Sequence, residues 1–226
     1  MLTILPIISS PITAGDVRNA FRHTGKKRAG EDFCAAFSAF MRLQHVYATN
    51  SGISSFYLIL ETLKELSPGK EVVLPAYTAG SLVVAVKKAG LVPILCDISK
   101  EDAGLDIGSL AGAVSKNTLA VVGVHAFGIA MKGIREIKRK LPEDVFFVED
   151  CAQSFGTAVG EQLTGSYGDV SFFSFNRGKN MPLCGSGCIA TNNKKIAAAL
   201  ELKIKNLGET GASSAASAFF AVLSLS

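Results

Sequence analysis

From Tyr47 onward the chain alternates short, continuous apolar runs with longer segments of helical periodicity. That alternation predicts parallel strands joined by crossover helices, with both faces of the sheet covered. Tyr47 to Thr49 leads into a turn at Asn50-Ser51-Gly52, and Ser54 to Leu66 then reads as a helix with Phe56, Leu60 and Leu63 on one face. Ser67-Pro68-Gly69 ends that helix. Glu71 to Leu74 predicts a strand, a helix follows through Ala89, and Pro93 to Cys96 predicts the next strand, closed by Asp97. The rhythm continues with a strand at Leu119 to Val124, a helix at Met131 to Lys140 and a buried strand at Val145 to Val148 that ends in Glu149-Asp150. Val170 to Phe175 and Cys188 to Thr191 are the last strands expected, before a Lys- and Ala-rich helix at Lys194 to Lys205. The expected fold class is α/β, a three-layer sandwich around a mostly parallel sheet.

Residues 1–46 form an N-terminal helical segment in this reading, because Phe33, Phe37 and Phe40 recur at helical spacing and predict a core-facing stripe. Residues 47–206 are the main domain. Residues 207–226, rich in Ala and Ser and then apolar at Phe219 to Leu223, read as the start of a smaller domain that is cut short.

Composition narrows the class. Hydrophobic residues make up 48% of the 226 and charged residues 19%, which excludes a disordered chain. The net charge of +4 comes from scattered basic residues. The densest group, Lys26, Lys27 and Arg28, lacks interleaved aromatics, so a solvated surface is expected and no nucleic-acid partner. The five cysteines, Cys34, Cys96, Cys151, Cys184 and Cys188, form an odd, dispersed set that fits a reducing compartment. No second ligand pair follows Cys184 and Cys188, and His23, His45 and His125 are far apart, so no metal site is expected. The apolar N-terminus has no basic n-region and is interrupted by Pro6 and Pro11, and no stretch is long enough to span a bilayer. The expectation is a cytoplasmic protein without a membrane partner.

Candidate chemistry lies at strand ends. No G-x-G-x-x-G or G-x-x-x-x-G-K-[ST] follows any expected strand, which disfavours dinucleotides and Walker-type nucleotide binding. Ala152-Gln153-Ser154-Phe155-Gly156 has the outline of a nucleophile elbow, but all three histidines precede Ser154 and the hydrolase order of Ser, acid, His is unattainable. What remains is Ser51-Gly52-Ile53-Ser54 at a strand-to-helix turn, Asp150 at a strand's carboxyl end, Ser174, and Lys179 in a glycine-flanked loop. The turn suits an anion at a helix N-terminus, or a plain serine cap. Asp150 reads either as a pocket carboxylate or as a cap for the residues after it. Lys179 reads as a cleft amine or as a solvated surface charge. His125 ends a buried strand and reads as a structural histidine.

Five blocks, in order, carry a resemblance: Asn50-Ser51-Gly52, Pro75-Ala76-Tyr77-Thr78, His125-Ala126-Phe127-Gly128, Glu149-Asp150-Cys151-Ala152-Gln153, and Gly168-Asp169 through Ser174-Phe175 to Lys179-Asn180. From about Pro6 to about Asn206 the chain resembles the DegT/DnrJ/EryC1/StrS family of aminotransferases. The resemblance implies the large domain of a fold-type-I transferase that uses pyridoxal 5'-phosphate. It implies that Lys179 carries the cofactor, that Asp150 pairs with its ring nitrogen and that Gln153 lies near its phenolic oxygen. It further implies that Gly52, Ile53 and Ser174 hold its phosphate. The implied reaction moves an amino group from an amino acid, glutamate in the family, to a nucleotide-linked keto-sugar, in a homodimer. Lys179 sets the chain apart from the related sugar dehydratases, which carry histidine there. Ile53 stands where the family often has Thr, and Ala79 where many members place an aromatic ring.

Overall fold

In a computed structural model, which describes Thr13, Gly15, Arg18 and residues 29–207 other than 177, 183 and 184, the apolar runs assemble into one sheet. The elements are α1 (Ala29–Met41), β1 (His45–Thr49), α2 (Gly52–Leu66), β2 (Glu71–Pro75), α3 (Gly80–Lys88), β3 (Val92–Cys96), α4 (Ile107–Ala113) and β4 (Thr118–Val124). They continue with α5 (Ile134–Lys140), β5 (Phe146–Asp150), the short pair β6 (Ala158–Val159) and β7 (Gln162–Leu163), β8 (Val170–Ser174), β9 (Gly187–Thr191) and α6 (Lys194–Leu207). The seven-stranded sheet has the order β1-β9-β8-β5-β4-β2-β3. Its strands from β3 to β8 are parallel, and β9 runs antiparallel between β8 and β1. Two reversals cancel, so β1 points the same way as β8. The carboxyl ends of β1, β8, β5, β4 and β2 therefore share one edge of the sheet, the edge at which open α/β sheets bind ligands.

Strand alternation sorts the core into two faces. Val72, Leu74, Val122, Val148 and Phe172 face α2, α3 and α6, where Phe56, Leu60, Leu63, Val86 and Leu200 are all fully buried. Val73, Val121 and Phe147 face the other way, against Leu110 of α4 and Ile134 and Ile137 of α5. Phe173, Cys188 and Ala190 on that same side receive Phe37 and Met41 of α1. The result is the expected three-layer arrangement. Each fully buried Phe or Leu removes enough apolar surface from water to contribute about 1.5–3 kcal/mol.

The structure corrects several details. Phe40 is 51% exposed rather than core. Three residues advance the helix by about 300°, which places Phe40 roughly 60° round from Phe37, at the rim, where its ring still meets Phe155. The helix expected from Ser54 begins at Gly52, and the one expected from Met131 begins at Ile134. The Met131 N–H donates instead to His125 Nδ1 at 3.0 Å, and Gly133 sits left-handed at φ 67 before the helix starts. The apolar pattern gave no sign of α4 or the β6–β7 pair, which are too short to show a period. The tail expected at 207–226, the Lys26–Arg28 cluster and Cys184 lie outside the described residues, apart from the end of α6 at Leu207. Among the described residues no helix is long and apolar enough to cross a membrane, and Cys34, Cys96, Cys151 and Cys188 are free thiols.

Candidate active site

The turn after β1 is both a cap and a cradle. Ser51 Oγ accepts the Ser54 N–H at 3.2 Å, and the Ser51 carbonyl accepts the Ser55 N–H at 3.0 Å. The N–H groups of Gly52 and Ile53 have no partner among the described residues. Two unsatisfied donors thus remain at the positive end of the 15-residue α2. Ser174 and Phe172 share the sheet face that α2 covers, which brings Ser174 against the same turn. A β-carbon on Gly52 would lie 2.7 Å from the Ser174 Cβ, and one on Gly187 would lie 2.6 Å from the Gly52 nitrogen. Only glycine lets β8, β9 and α2 close to this distance. The Ser174 hydroxyl also has no partner among the described residues, giving three donors in one small region.

Asp150 ends β5, in register with Val124 at the end of β4 and with Phe172 in the middle of β8. Its Oδ1 accepts the Ala152 N–H at 2.9 Å, so the cap reading holds for that oxygen. Oδ2 has no hydrogen-bond partner among the described residues. Burial pushes the carboxyl pKa up to about 6, against the opposing pull of the Ala152 N–H and of the Lys179 charge. Lys179 is half-buried, and its backbone N–H donates to the Asn176 carbonyl at 3.2 Å in a turn where Gly178 has φ 77. Its Nζ is in no salt bridge among the described residues. Gln153 is exposed, and its Oε1 accepts the Phe127 N–H at 2.7 Å, which leaves the Nε2 group as the donor it can offer elsewhere.

Glu149 points to the opposite face, as alternation requires, and is fully buried. Its carboxylate accepts the N–H groups of Gly165, Tyr167 and Gly168 at 2.7, 2.6 and 2.5 Å. It also lies 3.0 Å from His125 Nε2. Because His125 Nδ1 accepts from Met131, the ring proton sits on Nε2 and is donated to Glu149. The ligand atoms of His125, Glu149 and Cys151 lie within 4.8 Å of one another, but those of His125 and Glu149 are already committed to these bonds. Burial pushes the Cys151 thiol pKa far up, which suits an inert core group rather than a ligand thiolate. The cluster is a bracket that fixes the loops after β4 and β7. Sequence reasoning left Glu149 without a role, although a charged residue closing a buried strand was the available signal.

Two further features lie at the same edge. Thr78 Oγ1, in the loop after β2, is a buried side-chain oxygen without a hydrogen-bond partner among the described residues. Tyr77 beside it, and Phe127 in the loop after β4, are exposed large aromatics.

Relatives carry similar sequences over this whole region. Over 77% of this chain and 39% of the relative, it is 33% identical to 3-oxo-glucose-6-phosphate:glutamate aminotransferase of Bacillus subtilis. Over 78% of this chain and 47% of the relative, it is 29% identical to GDP-perosamine synthase of Vibrio cholerae. The chain thus spans about half the length, or less, of the curated relatives it matches. Its fold superposes with a TM-score of 0.79 on Helicobacter pylori PseC, an aminotransferase involved in the biosynthesis of pseudoaminic acid, at 18% identity over 87% of this chain and 54% of that one. The model of the DegT/DnrJ/EryC1/StrS aminotransferase family matches residues 15–220, and the chain belongs to that family.

Proposed function

We propose that this chain is the pyridoxal-phosphate-binding part of an aminotransferase that moves an amino group from an amino acid, glutamate by family resemblance, to a nucleotide-linked keto-sugar. The observation that carries the reading is Asp150, a buried carboxylate whose Oδ2 has no hydrogen-bond partner among the described residues, within electrostatic reach of Lys179. The residues fit the cofactor. Gly52 N–H, Ile53 N–H and Ser174 Oγ are three donors for a phosphate, without partners among the described residues and gathered where no β-carbon at position 52 would fit. Ile53 contributes only its backbone here, so the cradle works without a threonine hydroxyl. When bound, the cofactor supplies an electron sink for the pair left on a substrate carbon that has lost its proton.

The protein's own groups do the rest. Asp150 Oδ2 would pair with the ring nitrogen and keep a proton on it. Lys179 would hold the cofactor, and its amine would act as the base that takes the proton from the substrate carbon. Gln153 would offer Nε2 to the phenolic oxygen, its Oε1 already accepting the Phe127 N–H. The division into an N-terminal helical segment at 1–46, a cofactor-binding domain at 47–206 and the beginning of a smaller domain from 207 belongs to the same proposal, as do a homodimer and a cytoplasmic location. Lysine at 179, where the dehydratase branch carries histidine, favours amination over dehydration.

Incubation with pyridoxal phosphate, reduction with borohydride and peptide mapping test the reading. The expected result is a stable adduct on Lys179. Labelling spread over surface lysines with Lys179 unmodified would refute it.

A further inference from the structure

Tyr77 and Phe127 follow the neighbouring strands β2 and β4 and are 57% and 66% exposed, with ring centroids 6.3 Å apart and planes tilted by 36°. One exposed aromatic needs no explanation, but an adjacent pair at the ligand edge of an open sheet does. The separation is near the long limit for a ring pair, so the contact between the two leaves much of their faces open.

Phe127 also sits at φ 55 and ψ 26, a left-handed conformation that a side chain with a β-carbon keeps only where its surroundings impose it. Its N–H is held by Gln153 Oε1 at 2.7 Å, the Ile129 N–H closes the turn on the Ala126 carbonyl at 2.8 Å, and Thr157 Oγ1 donates to the Gly128 carbonyl at 3.0 Å. His125, just before the turn, is pinned by Glu149 and by the Met131 N–H. All of these bonds fix the backbone. Among the described residues the one ring contact of Phe127 is with Tyr77. The turn also abuts the loops that bear the candidate residues, since a β-carbon at Gly128 would lie 3.7 Å from the Gln153 carbonyl oxygen and 3.9 Å from Asn180 Nδ2.

We infer that Tyr77 and Phe127 form a stacking platform for a planar heteroaromatic ring of a ligand bound at this edge. The inference rests on the proposed function, under which that ring is either the pyridine of the cofactor or the base of the nucleotide-linked substrate. A strained, multiply anchored turn is how a fold holds a side chain at a fixed outward position, and a π-face accepts any flat ring regardless of its hydrogen-bonding edge.

The test uses the full chain and the variants Tyr77→Ala, Phe127→Ala and Phe127→Leu, titrated with pyridoxamine phosphate in one arm and with UDP and GDP in the other. The expected result is roughly tenfold weaker binding in one arm for both Phe127 variants, with a smaller loss for Tyr77→Ala. A loss confined to pyridoxamine phosphate assigns the platform to the cofactor ring, and one confined to the nucleotides assigns it to the base. Phe127→Leu keeps the β-carbon and apolar bulk, so wild-type binding by that variant alone would overturn stacking as the cause. Variants that bind all three ligands like wild type would overturn the inference outright. Melting of the ligand-free proteins shows whether a variant has lost its fold, and Tyr77→Ala, a change at an exposed position, keeps the test open if the Phe127 variants do not fold. Failure of the wild type to form the Lys179 adduct would strike the proposed function itself, whereas an intact adduct with unresponsive variants strikes only the platform.

Discussion

Asp150 is the residue whose physics is most at odds with simple stability. Its carboxyl pKa is pushed from 3.8 to about 6 by burial, so the folded chain binds the proton more tightly than the unfolded chain does. A raised pKa contributes stability that is fully present below the unfolded value and is lost as pH rises through about 6. Keeping this group ionised at neutral pH therefore costs the ligand-free fold on the order of 3 kcal/mol. Asp150→Asn retains an oxygen for the Ala152 N–H and removes the charge. The expected outcome is that the variant, without cofactor, is about 2–3 kcal/mol more stable than wild type at pH 7.5 in urea unfolding, with the difference vanishing near pH 4. The same variant should bind pyridoxal phosphate more weakly, because a neutral amide cannot hold a proton on the ring nitrogen. A difference that is flat across pH 4 to 7.5 would show that the carboxylate does not bear this cost. The contrast with Glu149 is instructive, since that neighbour is equally buried yet accepts from three backbone N–H groups and His125, and so has no capacity left for a ligand.

At the scale of elements, the cradle depends on how closely β9 passes the start of α2. Gly187 faces Thr49 of β1 on one side and Ser174 of β8 on the other. A β-carbon there would lie 2.5 Å from the Ser51 carbonyl carbon and 2.6 Å from the Gly52 nitrogen, both backbone atoms that cannot rotate away. Gly187→Ala should therefore push the first turn of α2 off Ser174, costing about 1–3 kcal/mol of stability. It should also cost more than tenfold in affinity for pyridoxamine phosphate, measured by titration; unchanged affinity would mean that the cradle does not need this approach. Such a contact is invisible in sequence, where Gly187 is one of several glycines in a loop. The strands themselves were legible because a sheet covered on both faces makes continuous apolar runs. So were Asp150, Ser174 and Lys179 as strand-end candidates. The antiparallel insertion of β9 was not, because apolar runs carry no direction, and neither was the set of bonds around Phe127, which ties the loop after β4 to β5 and to the loop that follows it. The start of α5 was misplaced because the Met131 N–H is taken by the His125 side chain, six residues back in the same loop, which overrides the helical period.

For the molecule as a whole, the candidate residues are spread across the sheet rather than gathered on one hairpin. Gly52 and Ile53 follow β1, Ser174 and Lys179 follow or end β8, Asp150 ends β5, and Phe127 follows β4. A ligand bridging them grips five of the seven strands through their shared edge, counting Tyr77 after β2. Binding should accordingly stabilise the described fold as a unit, with one melting transition that moves upward. A ligand at 100 times its dissociation constant adds about 2.7 kcal/mol, which for a chain of this size is on the order of 5–10 °C in midpoint. Lys179 separates two contributions to that shift. Pyridoxamine phosphate fills the phosphate cradle and meets Asp150 without needing a bond to the lysine, whereas pyridoxal phosphate gains the bond as well. Lys179→Ala should thus keep most of the midpoint rise given by pyridoxamine phosphate and lose much of the rise given by pyridoxal phosphate, read by calorimetry at matched concentrations. Equal loss with both ligands would mean that Lys179 shapes the cradle rather than carrying the cofactor. An unchanged response to both would place the covalent site on another lysine. Because both ligands are measured by heat and not by turnover, the result speaks to the half of the relatives' length that this chain represents, independently of whatever their remaining length contributes to the reaction.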